Sequence, residues 1–114
     1  MESFTALPQS EAYRLINFEQ VEIHPGFVGG FILVVRGTKP YLNMNVELMP
    51  RVYIRQPEYW GIEVVGMIPG GIGLPAEAPY IASLPLAGIV GTEGIEVIGA
   101  KRSERHQVPP TPSA

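Results

Sequence analysis

Proline and glycine constrain this chain more than any other feature of its sequence. Thirteen glycines and twelve prolines interrupt 114 residues, about twice their average share. Proline removes a backbone donor and breaks helix interiors, and glycine weakens them. The most apolar region, residues 62–90, is cut by Pro69, Pro75, Pro79 and Pro85 and cannot be one helix. No window offers the ~20 uninterrupted apolar residues that a membrane helix requires. Short strands joined by many turns are the expected outcome.

Hydrophobic alternation locates those strands. Phe31-Ile32-Leu33-Val34-Val35 is a continuous apolar run bounded by Gly29-Gly30 and by Gly37-Thr38-Lys39-Pro40. Such a run is a strand buried on both faces, or one whose outer face meets a partner. Leu42, Met44, Val46 and Leu48 alternate with Asn43, Asn45 and Glu47, a strict period of two. With the turn between them, the two runs read as a β-hairpin. Pro50 ends the ladder, leaving Arg51–Arg55 as a separate strand or the bent end of the same one. Trp60, Ile62 and Val64 resume the alternation facing inward. Ile89-Val90, Gly91–Gly94 and Ile95–Ile98 read as a second, tight hairpin.

Residues 10–23 admit either a helix capped by Ser10 or a strand with a bulge at Glu19-Gln20. The strand is favoured because His24-Pro25-Gly26 then supplies its turn. One echo is present: Gly61-Ile62-Glu63-Val64-Val65-Gly66 against Gly94-Ile95-Glu96-Val97-Ile98-Gly99. The flanks do not align, so two strands in similar half-buried positions explain it better than a duplicated unit. The expected architecture is all-β: a small antiparallel sandwich or barrel of about seven short strands, with Greek-key or immunoglobulin-like connectivity. Residues 1–100 form one domain, with 1–9 as a leader. Residues 101–114, polar, basic and proline-rich, read as a disordered tail.

Composition removes whole classes of chemistry. The chain has no cysteine, which excludes disulfides, thiolate metal sites and thiol nucleophiles. All eleven acidic residues are glutamate, so the usual orienting partner of a catalytic histidine is missing. Only His24 and His106 could ligate zinc through imidazole. The formal charge is −3, with no clustered basic surface to neutralise phosphates, and nucleic acid is not an expected partner. Neither a cofactor nor a membrane is expected. Met1–Thr5 shows no basic region followed by an apolar stretch, so a cytoplasmic protein is the expectation.

Candidate sites can each be set against a plainer reading. The glycine-rich stretch Pro69–Pro75 lacks the Lys-Ser/Thr pair and following helix of a phosphate loop, and reads as an irregular apolar loop. His24 with Glu22, two residues away on the same strand face, invites a hydrolase or isomerase with Ser83 or Thr38 as hydroxyl partner, but a turn histidine explains it more simply. The pairs Glu19/Glu22 and Glu63/Glu96 suggest two-carboxylate glycosidase chemistry. A solvated face with Glu63 and Glu96 near Arg51 or Arg55 is the better reading. Tyr53, Tyr59 and Trp60 with Arg51 and Arg55 make an Arg–aromatic cluster of the kind that dominates binding surfaces. Pro109-Pro110-Thr111-Pro112 fits a minimal polyproline-II ligand.

The leading functional expectation is a non-enzymatic interaction module or accessory subunit that docks on itself or another protein. Its motive is the surplus of apolar residues in 67–88, including Leu74, Tyr80, Ile81, Leu84 and Leu86, beyond what a small pair of sheets can cover. The alternative is a small-ligand or carbohydrate module using Tyr53, Tyr59, Trp60, Arg51 and Arg55. A His/Glu enzyme ranks last.

Overall fold

A computed structural model describes residues 13–26 and 29–109. The strands, in chain order, are β1 (Arg14–Leu15), β2 (Gln20–Pro25), β3 (Phe31–Lys39), β4 (Asn45–Pro50), β5 (Tyr59–Met67), β6 (Ala78–Pro85), β7 (Gly94–Ile98) and β8 (Ser103–Gln107). They build two sheets. The first joins β1, β4, β5, β7 and β8; the second has the order β2-β3-β6. The all-β expectation holds. The leader at 1–9, the Ser10 cap and residues 110–114 lie outside the described residues.

The core lies between the inward faces. From the first sheet come Leu48, Ile62, Val64, Ile95 and Val97; from the second, Leu33, Val35, Tyr80 and Ala82. The period-two pattern makes this work: Trp60 and Ile62 stand opposite Ile95 and Val97, and Leu48 stands opposite Val64, so paired residues share a face. Residues 16–19 cross from one sheet to the other. The Ile16 amide bonds to the Val64 carbonyl, whereas the Glu19 amide bonds to the Arg36 carbonyl. The slip in alternation at Glu19-Gln20 is thus a change of sheet, with Ile16 and Phe18 buried on the way, and not a bulge in one long strand.

Both hairpin expectations need correction. Phe31–Val35 continues through Gly37 and Thr38 to Lys39, and β3 pairs with β2 and β6. The Leu42–Leu48 run forms β4 only from Asn45 and pairs with β5 in the other sheet. The intervening turn therefore crosses between layers instead of folding one strand back on the other. Leu42, at the turn, is 53% exposed, while Met44 and Leu48 are buried. Residues 51–58 form a loop without strand pairing.

The second expected hairpin is absent, and its β7 runs parallel to β5. The antiparallel expectation thus fails at one pair, because β6 in the other sheet intervenes and returns the chain to the same end. The two echoed segments are this parallel pair, in a register that sets Gly61 opposite Glu96. They do occupy similar positions, as neighbours.

The tail expectation also needs correction at its start. Ser103–Gln107 forms β8, antiparallel to β7, and Val108 is buried in the core. Polar side chains suit this outer strand, since charge discourages further pairing. The other flanking strands carry prolines: Pro25 in β2, Pro50 in β4, and Pro79 and Pro85 in β6. All these edges are poor templates for another chain's strand.

Candidate functional site

Two segments bring apolar side chains to the surface in a fixed way. The turn at 41–43 lies beside the extended segment 72–74, and three hydrogen bonds join them. The Leu42 amide donates to the Leu74 carbonyl at 3.0 Å. The Asn43 side-chain amide donates to the Ile72 carbonyl at 2.8 Å, and its oxygen accepts the Leu74 amide at 2.9 Å. Underneath, the Tyr41 ring fills the space over Gly73, where a Cβ would come within 2.5 Å of the ring. Leu42, Ile72 and Leu74 leave this clamp 53%, 76% and 50% exposed. The segments 40–46 and 64–76 contain no charged residue. Two cations border them: Arg14, 5.4 Å over the Tyr41 ring, and Lys39, whose ammonium donates to the Met44 carbonyl at 2.8 Å.

This arrangement revises the apolar set read from residues 67–88. Tyr80 and Leu86 are core residues, and Leu84 packs against the core, because β6 turns alternate residues inward. They are no part of the surface that Leu42, Ile72 and Leu74 present. Leu74 and Ile81 remain exposed, but on different parts of the molecule. Ile81 lies on the outer face of the second sheet, in the row Gln20, Arg36, Ile81. On that face Ile32 and Val34 are half-buried, whereas Leu33 and Val35 are fully enclosed. Leu42 and Ile72 were missed, since only their exposure distinguishes them from core residues.

The Arg–aromatic cluster divides. Tyr53 and Trp60 meet edge to face, with ring centroids 5.1 Å apart. The Trp60 indole N–H donates to the Arg51 carbonyl at 2.9 Å, and Tyr53 Oη accepts the Gly61 amide at 3.0 Å. The two rings line a cleft of about 700 Å³ together with Ile54, Leu86, Val90 and Gly91. Tyr59 points to the opposite face of β5, where the Arg105 guanidinium stacks on it at 4.7 Å. Arg51 stays beside Tyr53, its Cδ and the Tyr53 hydroxyl meeting over Gly61. Its guanidinium donates to Glu63 at 2.9 Å, which raises its pKa further above the ordinary arginine value. Arg55 stands exposed in the loop. Val52 and Ile54, not singled out by the sequence, are essentially fully exposed.

The catalytic candidates are held in ordinary surface contacts. His24 Nε2 lies 2.9 Å from Glu22 Oε1, as the strand spacing implies. The Glu22 carboxyl is held below its usual range, first by the hydrogen bond to His24 and then by the charges of Arg36 and His24. Thr38 donates instead to Glu19 at 3.2 Å, and Ser83 is separated from Glu22 by Val34 in the cross-strand row. Glu63 pairs with Arg51, as expected, but the partner of Glu96 is Arg105, 3.7 Å away, and not Arg51 or Arg55. His106 Nε2 sits 3.1 Å from Glu104. Among the described residues no three acidic or imidazole groups cluster as a metal site would need. No helix there is long and apolar enough to cross a membrane. Pro69–Gly71 makes a single 3-10 turn followed by extended chain, so the phosphate-loop geometry is absent.

No family model, curated protein or solved structure matches this chain.

Proposed function

We propose that this chain works by contact, as a non-enzymatic β-sandwich module whose docking surface is the clamped loop pair carrying Leu42, Ile72 and Leu74. The supporting observation is the clamp itself. Exposed aliphatic side chains on loops ordinarily lose entropy on binding. Here three hydrogen bonds and the Tyr41–Gly73 contact fix the backbone beforehand, so less ordering remains to be done.

The occupant that fits is a second copy of the chain. A protein of net charge −3 repels its copies over most of its surface. It can approach itself best where neither facing loop contains a charged residue, and a two-fold contact brings such a patch against its own equivalent. The prolines and charges on the sheet edges favour a loop-mediated contact over strand addition.

Sedimentation velocity of the full chain between ~5 and 500 μM tests this. The expected result is a concentration-dependent dimer, lost in the Ile72→Asp/Leu74→Asp double variant while its circular dichroism and melting temperature stay close to the parent's. A monomer throughout the range defeats the second-copy reading. So does a dimer that survives the double substitution.

A further inference from the structure

The loop at 51–58 pairs with no strand, yet hydrogen bonds pin it along its length. The Arg51 amide donates to the Gly61 carbonyl at 2.8 Å, and the Arg51 carbonyl accepts the Trp60 indole N–H. Tyr53 Oη accepts the Gly61 amide, and the Gln56 side-chain amide donates to the Val90 carbonyl at 2.8 Å. The Pro57 and Glu58 carbonyls accept the Thr92 and Glu93 amides at 2.9 and 2.8 Å. Gly91 makes that approach possible, because a Cβ there would run into the main chain of Pro57 and Glu58. Burial does not account for this order, since Val52 and Ile54 stand fully in solvent. The bonds instead hold one wall of the Tyr53–Trp60 cleft in place against the turn at 91–92.

That cleft offers two kinds of contact. Tyr53 and Trp60 supply the apolar one. Their ring planes stand at 76° with centroids 5.1 Å apart, and with both polar atoms engaged on the backbone they present ring surface. Gln56 and Thr92, exposed at the opening, supply the polar one. After its bond to Val90, the Gln56 amide keeps a carbonyl acceptor and a second N–H, and the Thr92 hydroxyl both donates and accepts. None of the lining residues is charged.

This chemistry narrows the ligand. A phosphate, sulfate or carboxylate meets no cation in the lining, and an ammonium meets no carboxylate. A wholly apolar ligand needs enclosure, since such pockets cover roughly 70–90% of what they bind, whereas Ile54, Gln56, Gly88 and Thr92 leave this cleft open. A neutral pyranose suits both halves. Its C–H face lies on an aromatic ring, its hydroxyls reach Gln56 and Thr92, and those turned outward stay hydrated at no desolvation cost. The volume of about 700 Å³ falls within the ~300–1,000 Å³ of small-ligand sites.

We propose that the Tyr53–Trp60 cleft binds a neutral saccharide, with one pyranose ring stacked on the aromatic corner and hydrogen-bonded through Gln56 and Thr92. The site shares no residue with the Leu42, Ile72 and Leu74 surface, so the two readings stand or fall separately.

Trp60 is the single tryptophan, so its fluorescence reports the cleft directly. The full chain is titrated with maltotriose, cellotriose, mannotriose and triacetylchitotriose. The expected result is a saturable shift of Trp60 emission by at least one of them, with half-saturation at ~1 mM or below. Saturation-transfer NMR should then place that sugar's ring C–H protons against the protein's aromatic protons. Gln56→Ala/Thr92→Val alters two exposed side chains outside the core cluster and should leave the melting temperature near the parent's. It should weaken the saccharide roughly tenfold, as expected for lost hydrogen bonds. Ile72→Asp/Leu74→Asp should leave the affinity unchanged. Silence of Trp60 toward all four sugars overturns the proposal, as does a response that survives Gln56→Ala/Thr92→Val. Binding abolished by Ile72→Asp/Leu74→Asp places the sugar elsewhere and overturns it too. Energy transfer from Trp60 to the neutral apolar dye N-phenylnaphthylamine, with no saccharide response, overturns it in favour of an apolar ligand.

Discussion

Tyr80 lies across Gly37, its direct partner in the β3–β6 register. A Cβ at position 37 would stand 2.7 Å from the Tyr80 hydroxyl oxygen and 2.8 Å from a ring carbon. The missing side chain lets the ring sit flat over β3 and carry its hydroxyl to the Asn17 carbonyl at 2.7 Å. That bond ties β6 to the segment that passes between the sheets. Gly37→Ala should therefore displace the ring and destabilise the fold by roughly 1–3 kcal/mol, the range for overpacking. Urea unfolding measures it. In a Tyr80→Ala background the clash has no target, and the added cost of Gly37→Ala should fall well below the single-variant value.

The same tyrosine makes alkaline stability pH-dependent. Burial, and secondarily the negative charge of Glu19, push its hydroxyl up to about 12, against about 10 in an unfolded chain. The folded state thus holds this proton more tightly than the unfolded state. The associated stability is fully present below pH ~10 and is lost as pH rises through about 12. Unfolding midpoints taken at pH 9, 10.5 and 11.5 should fall more steeply for the parent than for Tyr80→Phe. The Phe variant should also begin about 1 kcal/mol lower for the lost hydrogen bond. Parallel pH profiles would contradict the assignment.

Glu22 offers a second titration, on the exposed face of β2. Its carboxyl is depressed mainly by the hydrogen bond to His24, so it should remain ionised as pH falls below the ordinary glutamate range. Any associated stability is present above the unfolded value and disappears as pH drops through the lowered one. Carbon-13 carboxyl titration should show the Glu22 midpoint moving upward in His24→Ala. An unchanged midpoint would mean that Arg36, 3.9 Å away, carries the effect.

Which parts of this fold were legible follows from what periodicity encodes. Alternation assigns a face to each side chain, and Trp60, Ile62, Val64, Met44 and Leu48 lie as it indicates. It does not name a strand's partner. Gly37-Thr38-Lys39-Pro40 has turn composition, yet Gly37 is a packing gap for Tyr80 inside β3, and the chain turns only afterwards. The parallel β5–β7 pair was invisible because its partners are joined through β6 in the other sheet. Ser103–Gln107 was hidden by polarity, since an outer strand needs little apolar surface, and its anchor is the single buried Val108. At the candidate sites, Tyr53 and Trp60 were found through residue type. Leu42 and Ile72 were not, because exposure depends on the clamp formed by Asn43, whose partners lie 29 and 31 residues away.

That clamp is itself testable. Asn43→Ala removes a donor to Ile72 O and an acceptor from the Leu74 amide, in a solvent-exposed setting where water replaces both. The fold should lose only about 1 kcal/mol, while hydrogen exchange at the Leu74 amide accelerates by tenfold or more. Self-association should weaken alongside, because the loops must then be ordered on binding. Fast exchange combined with undiminished association would show that preorganisation of the loops is irrelevant to contact.

Val108 decides whether β8 belongs to the folded domain. Its side chain is 4% exposed within the core cluster, and its amide bonds to Glu93 O. It therefore closes the end of the β7–β8 ladder where Gly94 meets the backbone of His106, a contact with no room for a Cβ. Deleting two buried methyl groups in Val108→Ala should cost roughly 1.5–3 kcal/mol from lost burial and the residual cavity. Gly94→Ala should cost more, since the obstacle is main chain and cannot rotate away. Both substitutions should raise exchange at β7 amides, which lose their outer partner. If residues from 101 onward were only an appended tail, each substitution would leave the unfolding midpoint where it was, and β7 exchange would not change.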